Sequence, residues 1–543
     1  MFAPIARGLS LIALALLAFA AWVHVAILDP TNVGWLLRGQ DIGQSALGLA
    51  AYLRVGAWPS THQAMLGAPD GATLLFTDSN PLLGLLLRPF AAWLPPGIQL
   101  IGLWLLACLM LHVLFAWLLV RRTAPDFLSA WLGTALLTML PTLFNRIGHV
   151  NLCAHWLILW ALWIFIDPRR ARSPLWWAAV LGVAALVHVY LLLMVAVIWG
   201  SAILAALAMR EGAGWRQLAG HALVLVMIVG LMALNGGFGG PFESTGSYGA
   251  FPMAIDALVN PANPSYTALL PSTPETNGRG FEGFQYLGAG LLALVTAAIA
   301  ILGVYRTPVI GQSTLRRLLW LGPGFVALTL LAMSTHITFQ GQVIARIPLD
   351  QRMIDGLDPI RASGRLFWPI AYAMVFAAIL VVHRLGTRRA ALLLAAALAL
   401  QVMDIAPMLA ASRSVTEGAQ DRTVYRRTPD SRWDALVAQA AQIDFHPTSH
   451  VQDLQLLQEL SWRAMHACRS TNRTYVARES RRSRARLASE STMLAAGKVE
   501  PTHLYILSER AIVHPALQPR IRRLDGVAIL PATRSGKPIN GCR

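Results

Sequence analysis

Residues 9–44 read LSLIALALLAFAAWVHVAILDPTNVGWLLRGQDIGQ. An apolar run of membrane length ends at Leu28, and the motif Gly39-Gln40-Asp41-Ile42-Gly43-Gln44 follows shortly after it. A polar loop and a long series of further apolar runs come next. An acidic side chain at the mouth of a membrane bundle is costly to hold near lipid, so its position marks a functional surface.

Composition agrees with that reading. Of 543 residues, 56% are hydrophobic and 13% are charged, and the mean hydropathy is +0.53. A soluble domain carries roughly a quarter charged residues, so the class is a polytopic membrane protein. The net charge of +17 comes from arginine, because Lys498 and Lys537 are the only lysines. Arginine-rich loops follow the positive-inside rule, and a basic tail lies against anionic lipid. Those roles account for the charge, so no nucleic-acid partner is expected.

The pattern predicts an all-α polytopic bundle of eleven spans, near 9–28, 99–120, 127–144, 152–166, 174–188, 190–209, 217–234, 286–304, 318–334, 366–383 and 389–405. The stretch from Pro174 to Met209 is too long for one helix, and His188-Val189-Tyr190 is the natural break. Ala18-Phe19-Ala20 looks like a signal-peptidase site, but the apolar run continues through Ile27-Leu28, as in an uncleaved anchor. Arg7, Arg121-Arg122, Arg169-Arg170-Arg172, Arg210 with Arg216, Arg306 with Arg316-Arg317, and Arg384 with Arg388-Arg389 all fall on one side of this path. That side is then cytoplasmic, with the amino end. Loops 29–98, 145–151, 235–285 and 335–365 and the tail from 406 lie opposite. The domains expected are a membrane domain, 1–405, and an extracytoplasmic C-terminal α/β domain, 406–543.

Long loops gathered on one side point to work done there. In the first, Asp41 to Ala57 reads as an amphipathic helix lying in the interface, and Pro81 to Trp93 as a second apolar segment. Asp78 lies between them, either in a site or as a helix cap. In loop 235–285, Glu243, Tyr248 and Glu282 are candidate substrate-binding groups; tyrosine there either stacks on sugar or joins an interfacial belt. Arg361 and Arg365 share a helical face and suit phosphate oxygens, with interfacial snorkelling the alternative for Arg365. Arg146, His149 and His155 cluster near the turn at 145–151. The histidine spacing does not put both on one helix face, so polar or phosphate contacts are favoured over a metal, and no cofactor is expected.

The tail reads as helices over Trp433–Ile443 and Val451–Cys468 and strands over Thr474–Ala477, Leu504–Leu507 and Gly526–Leu530. The run from Arg478 to Arg486 is a solvated or lipid-facing basic face, or a contact for an anionic glycan. Cys108 and Cys153 lie in apolar runs. Cys468 and Cys542 fit no metal motif, and an oxidising compartment would pair them.

Asp41 in its loop, Phe76-Thr77-Asp78-Ser79-Asn80-Pro81, Gly148-His149 with His155-Trp156, Ser247-Tyr248-Gly249, Glu282-Gly283-Phe284, Arg361-Ala362-Ser363-Gly364-Arg365 and Tyr475-Val476-Ala477-Arg478 carry a resemblance. The chain resembles an uncharacterised family of bacterial polytopic membrane proteins that look like GT-C-type glycosyltransferases. GT-C enzymes take a sugar from a polyprenyl phosphate or pyrophosphate. An acidic residue of their first outer loop acts as base, and basic residues near later loops hold the phosphate. The resemblance implies Asp41 as base, Asp78 as a second acidic group, and Arg361 and Arg365 as phosphate ligands. Gln40 and Ile42 flank Asp41, so the paired acids of some such enzymes are missing here, which makes a divalent metal less favoured.

The expected function is therefore transfer of a sugar from a polyprenyl-linked donor in the bilayer to an envelope glycan or glycolipid. The site would lie on the outer face of a bacterial inner membrane. A transporter or flippase of lipid-linked glycan is the alternative, and a non-catalytic envelope-assembly scaffold is the third. The sugar, the acceptor and the oligomeric state are not written in the sequence.

Overall fold

A computed structural model describes residues 2–211, 214–238, 244–274, 280–304, 311–447 and 453–542. Among them, seven helices are long and apolar enough to cross a membrane: Pro4–Trp22, Ile101–Val120, Val189–Ala208, Trp215–Leu234, Gln312–Met333, Ser363–His383 and Thr387–Ser414. The chain is a multi-pass membrane protein with a small sheet domain at its C-terminal end.

The other four expected spans coincide with shorter apolar helices: Phe127–Thr138, Val150–Phe165, Pro174–Val187 and Ala289–Val304. Local chemistry sets their ends. The Asp126 side chain caps the first by accepting from Ser129 N at 2.7 Å, and Pro141 follows its last turn, where proline cannot continue a helix. The break at His188 falls where the sequence put it, in extended backbone between two helices.

The last membrane helix, Thr387–Ser414, runs through the expected boundary at 405/406 and contains Pro407. Asp404, in its buried face, accepts from Tyr286 Oη at 2.5 Å, Thr267 Oγ1 at 2.6 Å and Ala289 N at 2.8 Å. A buried carboxylate with that many donors is satisfied. Its role is to anchor Thr267 and the Tyr286–Ala289 turn to the bundle.

The first outer loop differs from expectation. A helix forms over Asp41–Val55, but every residue from Ile42 to Arg54 is buried. It does not lie in an interface plane. One side packs on the tail helix Leu454–His466. Gly39 N donates to Gln458 Oε1 at 2.9 Å, and Gln458 Nε2 donates to Gln40 O at 2.7 Å. Gly48 lets the Thr77–Ser79 turn approach the other side, since a Cβ there would stand 2.2 Å from Ser79 Oγ. Asp78 is not a helix cap. Asn80 caps the helix Pro81–Leu87, and Asp78 itself adopts a left-handed φ of 52°.

The tail holds a five-stranded sheet. After the short antiparallel pairs β1 (His62–Gln63) with β2 (Ala72–Thr73) and β3 (His336–Phe339) with β4 (Gln342–Arg346), its strands are β5 (Gln442–His446), β6 (Ser470–Thr471), β7 (His503–Leu507), β8 (Arg522–Leu524) and β9 (Val527–Leu530). The order is β6-β5-β7-β9-β8. β5 runs parallel to β6 and β7, and β9 is antiparallel to β7 and β8.

Two tail assignments are corrected. The helix expected to Ile443 ends at Gln439, and the buried Ile443–His446 run is a central strand. Thr474–Ala477 is an extended loop, not a strand. The arginine run opens the helix Arg481–Ala495; Arg481, Arg482 and Arg484 are exposed, as in a solvated basic face, while Arg486 Nε pairs with Asp70 at 2.8 Å.

Backbone bonds join this domain to the first outer loop. Thr471 N donates to Met65 O at 2.9 Å, and Ala68 N donates to Thr471 O at 2.8 Å. Cys468 and Cys542 form a disulfide that closes a span of 74 residues. Removing such a bridge from a small domain costs roughly 2–5 kcal/mol. We therefore expect Cys542→Ser to lower the melting temperature of the intact chain in detergent, and reductant to add nothing further to the variant. Equal melting of wild type with and without reductant would show that the bridge contributes no stability.

Candidate functional site

Where the helix ends, the long loops and the tail meet, a cavity of about 610 Å³ opens. Its walls include Asp41, Asp78, His149, Glu282, Arg361 and Arg365 from the sequence-derived candidates. It also includes Gln44, His188, Tyr190, Tyr475 and Arg478, together with apolar Phe76, Phe238, Phe251 and Phe281.

Glu282 anchors one wall. Arg146 Nη1 lies 2.5 Å from its Oε2, and Arg365 donates from Nε to the same oxygen at 2.6 Å and from Nη2 to Oε1. Burial alone would raise the Glu282 carboxyl, but Arg365 first and then Arg146 hold it far below the ordinary carboxylate range. Burial lowers the Arg146 guanidinium, and Glu282 acts against that shift. Glycine contacts bring these segments together. A Cβ on Gly364 would stand 2.5 Å from Gly283 Cα, and one on Gly283 would stand 1.9 Å from Pro252 O. Only bare backbone allows that crossing.

The opposite wall carries a chain of titratable groups. His188 Nδ1 accepts from Tyr190 N at 3.1 Å, which leaves the proton of a neutral ring on Nε2, 3.7 Å from Asp78 Oδ1. Asp78 Oδ2 lies 3.1 Å from His149 Nδ1. His149 Nε2 then faces Asp41 at 3.6 Å and Glu282 at 3.7 Å. Burial would raise Asp78, but the His149 hydrogen bond and the nearby His149, His188 and Arg365 leave it below its usual value. Asp78 is thus built to stay ionised and to orient His149. Its left-handed backbone is tolerated by aspartate and is the kind of local strain that gathers at functional sites.

Asp41 is the most accessible of the three carboxylates. Its side chain is 38% exposed against 5% for Glu282. It occupies the first turn of its helix, where a carboxylate also favours the helix dipole. The Tyr475 hydroxyl hydrogen-bonds with it; burial, then the Asp41 charge and hydrogen bond, raise the Tyr475 phenol. Tyr475 therefore stays protonated.

The tail segment 474–478 closes the cavity. Gln44 Nε2 donates to Thr474 Oγ1 at 2.8 Å, and Ala477 N donates to Phe76 O at 2.8 Å. Arg361 Nη2 donates to Ala477 O at 3.2 Å, and Arg478 Nη2 donates to Asp358 O at 2.7 Å. Arg361 keeps Nη1 without a hydrogen-bond partner among the described residues. Asp358 is itself fixed by Thr245 Oγ1 at 2.7 Å and Ser247 N at 3.1 Å.

The remaining candidates stand elsewhere. Arg146 lies behind the wall and supports Glu282. His155 is buried in the bundle, with Nδ1 2.8 Å from Tyr372 Oη and its ring 4.2 Å from Trp368. It binds helices together rather than substrate. Tyr248 is buried beside Leu331 O and lines no part of the cavity. Glu243 lies outside the described residues. Among those residues no group of three His, Cys, Asp or Glu side chains is arranged to hold a metal ion.

The sequence offers His188 only as a weaker polar candidate at a helix break, Tyr475 within a tail strand, and Arg478 as the start of the basic run, with both in a segment that carries the resemblance. None of the three is thereby assigned to the site, because a distant contact places Tyr475 and Arg478 there.

Helical bundle, loop-built cavity and tail together define a multi-pass membrane protein with a polar, charge-paired site at one end of its helices. The chain belongs to the family described as Domain of unknown function (DUF6311), which matches residues 12–406, with the DUF6311 C-terminal domain matching residues 432–532. No curated protein matches the chain.

The Arg146–Glu282–Arg365 cluster yields a stability prediction. Removing one member of a buried ion cluster leaves charge uncompensated and costs roughly 3–5 kcal/mol. Glu282→Gln should therefore cut thermal stability strongly, whereas Asp41→Asn, at an accessible site, should change it little. A depressed carboxylate stabilises above its unfolded pKa and loses that contribution as pH falls through its folded value. The Glu282 contribution should thus persist at pH 5 and vanish only in strong acid. Melting curves of wild type and Glu282→Gln that already converge at pH 5 would contradict this.

Proposed function

We propose that the chain is a GT-C-like membrane glycosyltransferase that moves a sugar from a polyprenyl-phosphate-type carrier to an envelope glycan or glycolipid. The reading places the cavity on the outer face of a bacterial inner membrane, with eleven crossings, the amino end in the cytoplasm and the tail outside. The single observation that carries it is the cavity's division of labour. An accessible carboxylate backed by a histidine shares the cavity with Arg361, whose Nη1 makes no hydrogen bond among the described residues, and with Arg478, both paired to Asp358, inside apolar walls at the mouth of a helical bundle.

The chemistry follows from those groups. Asp41 takes the proton of the acceptor hydroxyl as its oxygen attacks the anomeric carbon of the donor. The bond from that carbon to the carrier phosphate oxygen breaks, and the electron pair leaves with the phosphate. Arg361 and Arg478 are the better phosphate ligands. Arg365, which the resemblance pointed to together with Arg361, has its fork engaged by Glu282, so its charge acts on the cavity from behind. His149, held by Asp78, is placed to relay the proton away from Asp41. Positioned bases contribute about 10²- to 10⁴-fold, and oriented donors on a developing anion about 10²- to 10³-fold.

The position of the titratable groups favours transfer over translocation. They gather at helix ends and loops, whereas transporters place ionisable groups or broken helices near mid-membrane. The disulfide also fits an oxidising, extracytoplasmic tail.

A gene deletion rescued with wild type, Asp41→Asn or Arg361→Gln at matched expression tests the proposal. Mass spectrometry of envelope glycans and polyprenyl-linked sugars should show donor accumulating and one sugar missing in the deletion and in Asp41→Asn. Arg361→Gln should fall between the deletion and wild type. A wild-type glycan profile with Asp41→Asn would remove Asp41 from the chemistry, and a wild-type profile in the deletion itself would sink the transferase reading.

A further inference from the structure

The tail contains a second cavity, of about 340 Å³, that the reaction above does not use. It opens at the carboxyl ends of the adjacent parallel strands β5 and β7, which finish at the paired residues His446 and Leu507. Crevices at the carboxyl ends of parallel strands are where open α/β sheets take ligands.

Its polar groups are unusual. His446 is 4% exposed, yet neither ring nitrogen has a hydrogen-bond partner among the described residues. Burial lowers its pKa, so the ring is neutral at neutral pH and offers one donor and one acceptor. Arg473 lines the same cavity with Nε and Nη1 buried and unpartnered. Buried polar atoms are ordinarily satisfied, so these two side chains mark a place where a ligand completes the bonding.

The neighbours narrow the ligand. Arg427 is already engaged by Asp453 at 2.7 Å and by Asp525 O at 2.8 Å. Arg523 and Glu509 line the cavity with opposite charges, which leaves Arg473 as the cation without an acidic partner there among the described residues. Leu456, Ile506 and Val527 give the walls an apolar surface. Arg473 Nε and Nη1 lie on different edges of the guanidinium, so each offers a single donor, and its charge suits an oxygen of a carboxylate or phosphate. A neutral imidazole offers one donor and one acceptor nitrogen that point apart, and each suits a sugar hydroxyl. Apolar walls suit the C–H face of a sugar ring.

We propose that this tail cavity binds a sugar unit bearing an acidic group, with Arg473 on the carboxylate or phosphate and His446 on a ring hydroxyl. The assignment rests on the tail cavity alone and stands whether or not the junction cavity transfers sugar. Arg473 lies on the same extended segment as Tyr475 and Arg478.

The test is saturation-transfer NMR on the full chain in nanodiscs, with glucuronate, glucose 1-phosphate and glucose as probes, and phosphorus NMR line broadening for inorganic phosphate. At least one acidic sugar should show saturated ring protons, with glucose at least about tenfold weaker. Arg473→Gln and His446→Ala should each weaken that binding about tenfold or more at an unchanged melting temperature. Arg473→Lys, which keeps the charge and loses the planar guanidinium donors, serves if Arg473→Gln does not fold, and should also weaken it. Asp41→Asn, in the other cavity, should leave it unchanged. No binding of any probe, binding of inorganic phosphate alone, equal binding of glucose, or indifference to both tail substitutions would each overturn the proposal.

Discussion

A carboxylate removed from water must be met by charge, and the position of Glu282 follows from that requirement. Two guanidiniums close on it from different parts of the chain, Arg146 from the turn after one helix and Arg365 from the start of another. Breaking such a cluster is far costlier than losing a surface pair. The three segments are therefore fixed relative to one another. The crossing of Gly283 and Gly364 is the steric side of the same constraint. With those segments fixed, His149 faces inward and Arg361 stands at the rim. The geometry of the working face thus depends on a carboxylate that does not itself need to react.

The second constraint is the docking of the tail. The first outer loop and the tail share backbone hydrogen bonds, a helix–helix contact and the Asp70–Arg486 pair. Segment 474–478 can reach across the cavity because its domain is already anchored there. A role for the tail as a removable docking module fits poorly with this. Tyr475 on Asp41 and Arg478 on Asp358 make it part of the site.

Much of this was legible in the sequence, for physical reasons. Apolar runs and arginine clusters report the bundle because lipid tolerates little else. Asp41, Asp78, His149, Glu282, Arg361 and Arg365 were readable because charged or polar side chains in outer loops of so apolar a chain are conspicuous. What failed was anything decided by a distant partner. The Asp41–Val55 helix looked amphipathic but is covered on both sides, by a turn from its own loop and by a helix more than four hundred residues away. Ile443–His446 continued an apolar pattern that serves a helix or a buried strand equally, and pairing with β7 decided it. Tyr475 and Arg478 belong to a motif and a basic run that are visible in the sequence, but nothing local ties them to Asp41 or Asp358. Arg365 was identified as a cation but not as a partner of Glu282, since no spacing rule links residues so far apart.

The central claim is that the cavity between bundle and tail receives a polyprenyl-linked sugar. The most direct measurement places a photo-crosslinking amino acid at Phe238, on the cavity wall, in the full chain expressed in its host. Mass spectrometry then identifies what is captured on illumination. The account predicts a polyprenyl phosphate sugar adduct that is retained with Asp41→Asn and depleted with Arg361→Gln. Capture of ordinary phospholipid alone, unchanged by either substitution, would contradict it.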